Sequence, residues 1–288
     1  WSDRWQEKWD NLPTIKGHLS DGLLKALNTK PKVEQKRQPA NTEAYEYYLR
    51  GKYKYEKREN KEDTEISREL IKRAIELDEN LIAAKIMMGI TYFEIGDYDN
   101  AIGFYTSALK QAEGLGDKKG IANALNRLGI ITRIVDNPNK ALELYKRAHK
   151  IREEIGDRAG IGGSLCNIGI IFHINGELDK ALQYFTRSLN IFEELGDRKS
   201  ISKQLNNIGL IHKDKYNYTK ALDYFTRSNK INKEVGDNYG MGKSLLNFGF
   251  IYLCMGDYDK ALDYYKSGLD ITQEIGDKVG IGDAFQSI

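Results

Sequence analysis

The sequence predicts an all-α solenoid of antiparallel helical hairpins stacked side by side. Three observations predict it. A forty-residue unit repeats without a gap from Leu81, Ile121, Ile161, Ile201 and Met241. Inside each unit the apolar residues follow the spacing of a helix face, not the alternation of a strand. Small residues recur in fixed register, at Gly89, Gly129, Gly169, Gly209 and Gly249 and at Ala101, Ala141, Ala181, Ala221 and Ala261, which suits helices that pack closely.

Residues 1–28 differ from the repeats: Ile15, Leu19, Leu23 and Leu27 mark one amphipathic helix. Residues 29–40, TKPKVEQKRQPA, read as a polar basic linker with Pro31 and Pro39, a solvated charge run and not an anion site. Residues 41–80 read as a degenerate hairpin, packed by Tyr45, Tyr47, Tyr48, Tyr53 and Tyr55 and closed near Ile71 and Ala74. Residues 81–288 hold five full units and the start of a sixth at Ile281. In the last full unit Leu245, Phe248, Gly249 and Tyr252 line a first helix, and Ala261, Tyr265 and Gly268 a second. Between the two, Gly96, Gly176 and Gly256 suit the left-handed position that ends a helix. Asp99, Asn139, Asp179, Thr219 and Asp259 are the expected N-caps of the second helices. A Gly-Asp pair, ending at Asp117, Asp157, Asp197, Asp237 and Asp277, stops and restarts the chain between units.

The spacing of Leu245, Phe248, Gly249, Tyr252, Ala261, Tyr265 and Gly268 resembles the tetratricopeptide repeat. Segments such as LNNIGLIH and GDYDKALDYY are similar to the forty-residue repeats of kinesin light chains, of spindle-orientation adaptors and of many bacterial regulators. The resemblance implies a right-handed superhelix that serves as a protein-binding scaffold. The opening run WSDRWQEKWDNLPTIKGHLSDGLLKAL resembles the tail of a TolB-like domain that precedes such repeats in bacterial signalling proteins. That resemblance implies an alternative: the regulatory or sensory arm of a larger protein, such as an adenylate or guanylate cyclase or a transcription regulator.

Composition narrows the function classes. Basic and acidic residues number 44 and 42, so the net charge of +2 supplies no field for nucleic acid. No apolar run reaches the ~18 residues of a membrane span, so no membrane insertion is expected. The first residues lack a methionine and a signal-peptide pattern, and read as a fragment of a longer chain. Cys166 and Cys254 both fall in predicted helices and read as free thiols, which favours a cytoplasmic location; a periplasmic segment beyond an upstream span is the alternative.

Chemistry is not expected. No serine, cysteine or carboxylate pair has a recognisable base and orienting partner, so neither an enzyme nor a cofactor is predicted. The run Gly240-Met-Gly-Lys-Ser244 lacks the strand and the full glycine spacing of a phosphate loop, and matching positions in other units show it to be repeat variation. His18, His149, His173 and His212 are scattered; His212 shares the register of Tyr252 and reads as packing. Cys166 and His173 have no further ligands, so no metal site is predicted.

A binding groove is the sharper expectation. First helices should line its wall across residues 121–255. One register holds Asn167, Asn207 and Asn247, with Arg127 and Met87 in the earlier units; its neighbour adds Asn126 and Asn206. Carboxamides donate to carbonyls and accept from amides, which suits the main chain of an extended peptide. In kinesin-type repeats asparagines at the matching position contact peptide backbone; the resemblance carries this to Asn167, Asn207 and Asn247 and fails at Met87 and Arg127. Lys203 and Lys243, with Arg133, His173 and Lys213, would favour carboxylates, so the expected ligand is an acidic protein or peptide segment. Ile130, Ile170, Leu210 and Phe250 either add apolar pockets or pack inside the hairpins. A further expectation is weak self-association through exposed end repeats.

Overall fold

The computed structural model describes residues 41–276, apart from Glu59 and Asp136, and Gly282. The amphipathic helix expected at 1–28, the linker at 29–40 and nearly all of the sixth unit lie outside the described residues. Twelve helices follow one another, with no strand among the described residues: α1 (Thr42–Glu56), α2 (Lys61–Leu77), α3 (Ile82–Glu94), α4 (Tyr98–Leu115), α5 (Lys118–Ile134), α6 (Pro138–Glu154), α7 (Arg158–Ile174), α8 (Leu178–Leu195), α9 (Arg198–Asp214), α10 (Tyr218–Val235), α11 (Asn238–Cys254) and α12 (Tyr258–Glu274). Helices pair as α3/α4, α5/α6, α7/α8, α9/α10 and α11/α12, and each pair packs on the next. None of these helices is long and apolar enough to cross a membrane.

Each hairpin closes on a glycine and a ring. A Cβ on Gly89, Gly129, Gly169, Gly209 or Gly249 would fall 2.4, 2.6, 2.8, 2.5 or 2.7 Å from a ring carbon of Tyr105, Tyr145, Phe185, Phe225 or Tyr265. Every one of those rings is buried, as are Ala101, Ala141, Ala181, Ala221 and Ala261 one turn earlier on the second helix. Next to them a stacked pair repeats: Tyr92 on Phe104, Phe172 on Tyr184, His212 on Tyr224 and Tyr252 on Tyr264, with centroids 5.2 to 5.6 Å apart. His212 is therefore a packing residue in an aromatic register. In the first hairpin Tyr45, Tyr47, Tyr48 and Tyr55 pack against the Ile71 and Ala74 core. Tyr53 does not follow them and is 56% exposed.

The turns correct one expectation. Asp99 and its equivalents at 139, 179, 219 and 259 lie inside the second helices, and the N-caps stand two residues earlier. Asp97, Asn137 and Asp257 accept from the backbone N–H of Asn100, Lys140 and Lys260. Glu177 and Asn217 hold the same position without a side-chain bond. The reason lies in Gly96, Gly176 and Gly256, whose φ of 79°, 74° and 78° reverses the chain so sharply that the next helix begins after a single residue. Asp99, Asp179 and Asp259 then act on the helix dipole from within the first turn. Between hairpins the expected pattern stands: Gly116, Gly196 and Gly236 are left-handed, and Asp117, Asp157, Asp197 and Asp237 accept from the N–H three residues on.

Polar residues fill two of the junctions between hairpins. Arg152 is buried, and its guanidinium donates to Gly160 O (3.1 Å), Ser164 Oγ (2.6 Å) and Asn123 Oδ1 (3.2 Å), which joins α5, α6 and α7. Two units later Asn232 takes the same place and bonds Ser202, which also meets Ser228. Phe192 fills the equivalent position between them with an apolar ring.

Candidate functional site

Successive first helices touch one another, α3 with α5 and α9 with α11. Short side chains bridge every step from α5 to α11: Asn167 Nδ2 to Asn126 Oδ1 (2.8 Å), Asn207 Nδ2 to Cys166 Sγ (3.5 Å) and Asn247 Nδ2 to Asn206 Oδ1 (3.1 Å). Second helices meet through longer reach, as where Arg147 of α6 extends to Glu113 of α4 at 2.6 Å. Helices linked by asparagine side chains have closer backbones than helices linked by arginine. The wall of first helices is thus the inner, concave one.

The expected asparagines are on that wall, half-buried; four of them bond one another in pairs along the stack, and Asn207 bonds Cys166. In the Asn126–Asn167 and Asn206–Asn247 pairs this uses one donor and one acceptor. Each pair bond leaves the amide of the earlier residue, one N–H of the later residue, the second lone pair of the earlier carbonyl and the whole of the later carbonyl, so the geometry leaves donors and acceptors for a main chain. Between these pairs stands Cys166, buried on the same wall, where the two neighbouring units carry asparagine.

The cations sort into two groups. Among the described residues, Arg127, Arg133, Lys203 and Lys243 form no ion pair within 4.0 Å. Arg127 faces Tyr55 and Tyr105, and Arg133 faces Tyr145. Burial pushes the Tyr105 and Tyr145 hydroxyls up to about 12, and each arginine pulls the other way. The Lys243 ammonium sits 4.4 Å from the Tyr239 ring. His173 and Lys213 are already engaged, because Asp214 lies 2.6 Å from His173 Nε2 and 3.4 Å from Lys213 Nζ. The sequence reading left out this carboxylate. The signal was its place beside Lys213 and forty-one residues after His173, the same step that separates the bonded asparagines. Lys213 also lies 4.8 Å from the Phe250 ring.

Ile130, Ile170 and Leu210 pack partly into the cores of the stack, whereas Phe250 is 41% exposed. Glu94, bonded twice at 3.0 Å by Arg58, adds a second carboxylate near the amino-terminal end of the wall. Among the described residues no three His, Cys, Asp or Glu side chains gather as metal ligands.

Family and structural similarity agree with the fold. A model of the tetratricopeptide repeat matches residues 80–154, 120–194 and 200–274. No curated protein matches the chain. Among solved structures, BtubC (BKLC) of P. vanneervenii is 19% identical, with a TM-score of 0.60 over 82% of this chain and 93% of that one. A signal transduction ATPase of Pyrococcus horikoshii with a tetratricopeptide repeat sensor is 19% identical, with a TM-score of 0.65 over 87% of this chain and 43% of that one. The Rap conjugation gene regulator of plasmid pLS20, in complex with a Phr peptide, is 18% identical, with a TM-score of 0.64 over 84% and 76%.

Proposed function

Because the chain belongs to the tetratricopeptide repeat family, we propose that it is a non-catalytic scaffold whose inner wall, from α5 to α11, holds an extended peptide of acidic character. The observation that carries this reading is the stretch of unpaired cations beside half-buried asparagines on one continuous wall. Asn126, Asn167, Asn206, Asn207 and Asn247 would grip the main chain. Arg127, Arg133, Lys203 and Lys243 would receive carboxylates, and His173 and Lys213 would join them only by sharing Asp214. The Phr-bound Rap regulator has the same fold and holds a peptide, which supports the class of ligand and not its sequence.

The test is a selection of random twelve-residue peptides displayed against the intact chain. Enrichment of Asp and Glu is expected, with affinity falling at least ten-fold in the Asn207→Ala/Lys213→Ala double variant at unchanged helicity. Unchanged affinity would move the site elsewhere, and neutral selected peptides would remove its acidic character.

A second reading, a sensory arm of a larger signalling protein, is supported by the P. horikoshii ATPase, in which a repeat sensor is part of a longer chain. Its test is whether a selected peptide changes an activity carried elsewhere in the full gene product. A gene product with no further domain sinks it.

A further inference from the structure

Tyr216 is the single non-glycine residue with positive φ (58°) among the described residues. It closes the α9–α10 turn, where positions 96, 176 and 256 use glycine, and a bulky residue there is strained. Folding gains little in return: the side chain is 79% exposed, and among the described residues its one ring contact is an edge-to-face pair with Tyr218, centroids 6.3 Å apart. Strain that the fold does not need points to function.

The neighbourhood of Tyr216 is apolar and open. The Tyr218 hydroxyl interacts with the Cys254 thiol, so the start of α10 abuts the end of α11. There Leu253 and Met255 are 39% and 54% exposed, and Tyr258 at the start of α12 is 69% exposed. This shelf runs into the groove: Leu253 stands in the register of Lys213, and the Lys213 ammonium lies over Phe250.

We propose that Tyr216, Tyr218, Leu253, Met255 and Tyr258 form a shelf at the groove's turn edge, which takes an apolar side chain at one end of the acidic peptide bound along the groove. The proposal rests on the groove reading above. Charge selects this occupant. The cations Arg133, Lys203 and Lys243 lie along the wall, with Lys213 where wall and shelf meet, so a segment crossing from one to the other brings carboxylates first and an apolar group last. Paired aromatic rings and a methionine offer a polarizable surface that accepts Leu, Met or Phe with little discrimination.

The test uses the intact chain and five fluorescein-labelled probes: hexaglutamate, hexaglutamate extended by Gly-Leu-Phe at its amino end, the same extension at its carboxyl end, and hexaglutamine with each of the two extensions as controls. One of the two extended acidic probes is expected to bind at least ten-fold tighter than hexaglutamate. That advantage should vanish in Tyr216→Gly, which keeps the turn by using the residue of the other turns, and in Tyr258→Ser, while hexaglutamate binding is unchanged. If hexaglutamate binds and neither extension tightens it, or if the advantage survives both substitutions, the shelf is refuted and the groove stands. If no probe binds, both readings fall. Should Tyr216→Gly instead abolish a concentration-dependent self-association seen by sedimentation, with peptide affinity unchanged, the edge joins copies of the chain and the proposal is wrong.

Discussion

At the scale of single residues, the hairpins depend on an absence of atoms. Gly209 leaves room for the edge of the Phe225 ring, and a methyl group there would stand 2.5 Å from it. Gly209→Ala is expected to destabilise by about 1–3 kcal/mol, the usual cost of overpacking a filled core. A chemical denaturation midpoint measures it, and adding Phe225→Leu should recover part of the loss. The opposite holds at Tyr216, where a side chain occupies a backbone conformation suited to none. Relief of the left-handed strain gains about 1–2 kcal/mol, and glycine's extra unfolded-state freedom returns about 0.5–1 kcal/mol. Tyr216→Gly should therefore leave the melting temperature unchanged or slightly raised. A clear fall would mean that the ring's contact with Tyr218 outweighs the strain.

At the scale of elements, helix starts separate two carboxylates that look alike in sequence. Asp97 caps α4 through the Asn100 N–H at 3.1 Å, while Asp99 sits inside the first turn with only the dipole to act on. Asp97→Ala should cost about 1 kcal/mol, and Asp99→Ala less, about 0.3–1 kcal/mol at low salt. Equal losses, or a larger one at Asp99, would contradict the cap assignment; circular-dichroism melts of the two variants decide. Arg152 shows the same dependence on context. Its three hydrogen bonds tie α5, α6 and α7 together, so truncation to alanine strands Ser164 and Asn123 as well as leaving a void. Methionine of similar length should be tolerated better.

At the scale of the whole molecule, two histidines couple the stack to pH. Burial lowers the pKa of both His149 and His212; Glu153 opposes the shift at His149, and Lys220 and Lys215 reinforce it at His212. The Nδ1 atoms of both are buried with no hydrogen-bond partner among the described residues. The unfolded chain then binds more protons than the folded one once pH drops below the ordinary histidine value, so stability falls as pH falls through about 6.5. Denaturation midpoints at pH 7.5 and 5.5 check this, and the double variant His149→Leu/His212→Phe should flatten the difference. Binding carries its own signature. Raising salt from about 0.1 to 1 M shortens the screening length from about 10 to 3 Å, so affinity for an acidic peptide should fall with salt in the native chain and less steeply in Lys203→Ala/Lys243→Ala.

The helical period, the glycine and alanine registers and the Gly-Asp joints are local properties, and for that reason they were legible from residue types alone: a close approach needs glycine, and a left-handed stop favours it, Tyr216 being the exception among the described residues. His212 was legible as packing because the repeat supplied its neighbours by register. The cap positions were not, because a sequence shows which residues can cap but not how sharply Gly96 turns the chain. Tertiary structure alone decided which polar groups on the inner wall remain available. Asn126 meets Asn167, and Asp214 meets His173, across forty-one residues. A linear sequence lists those side chains separately, whereas stacking brings them within hydrogen-bonding distance, and a charge or carboxamide is free for a ligand only after its neighbours in space have taken their share.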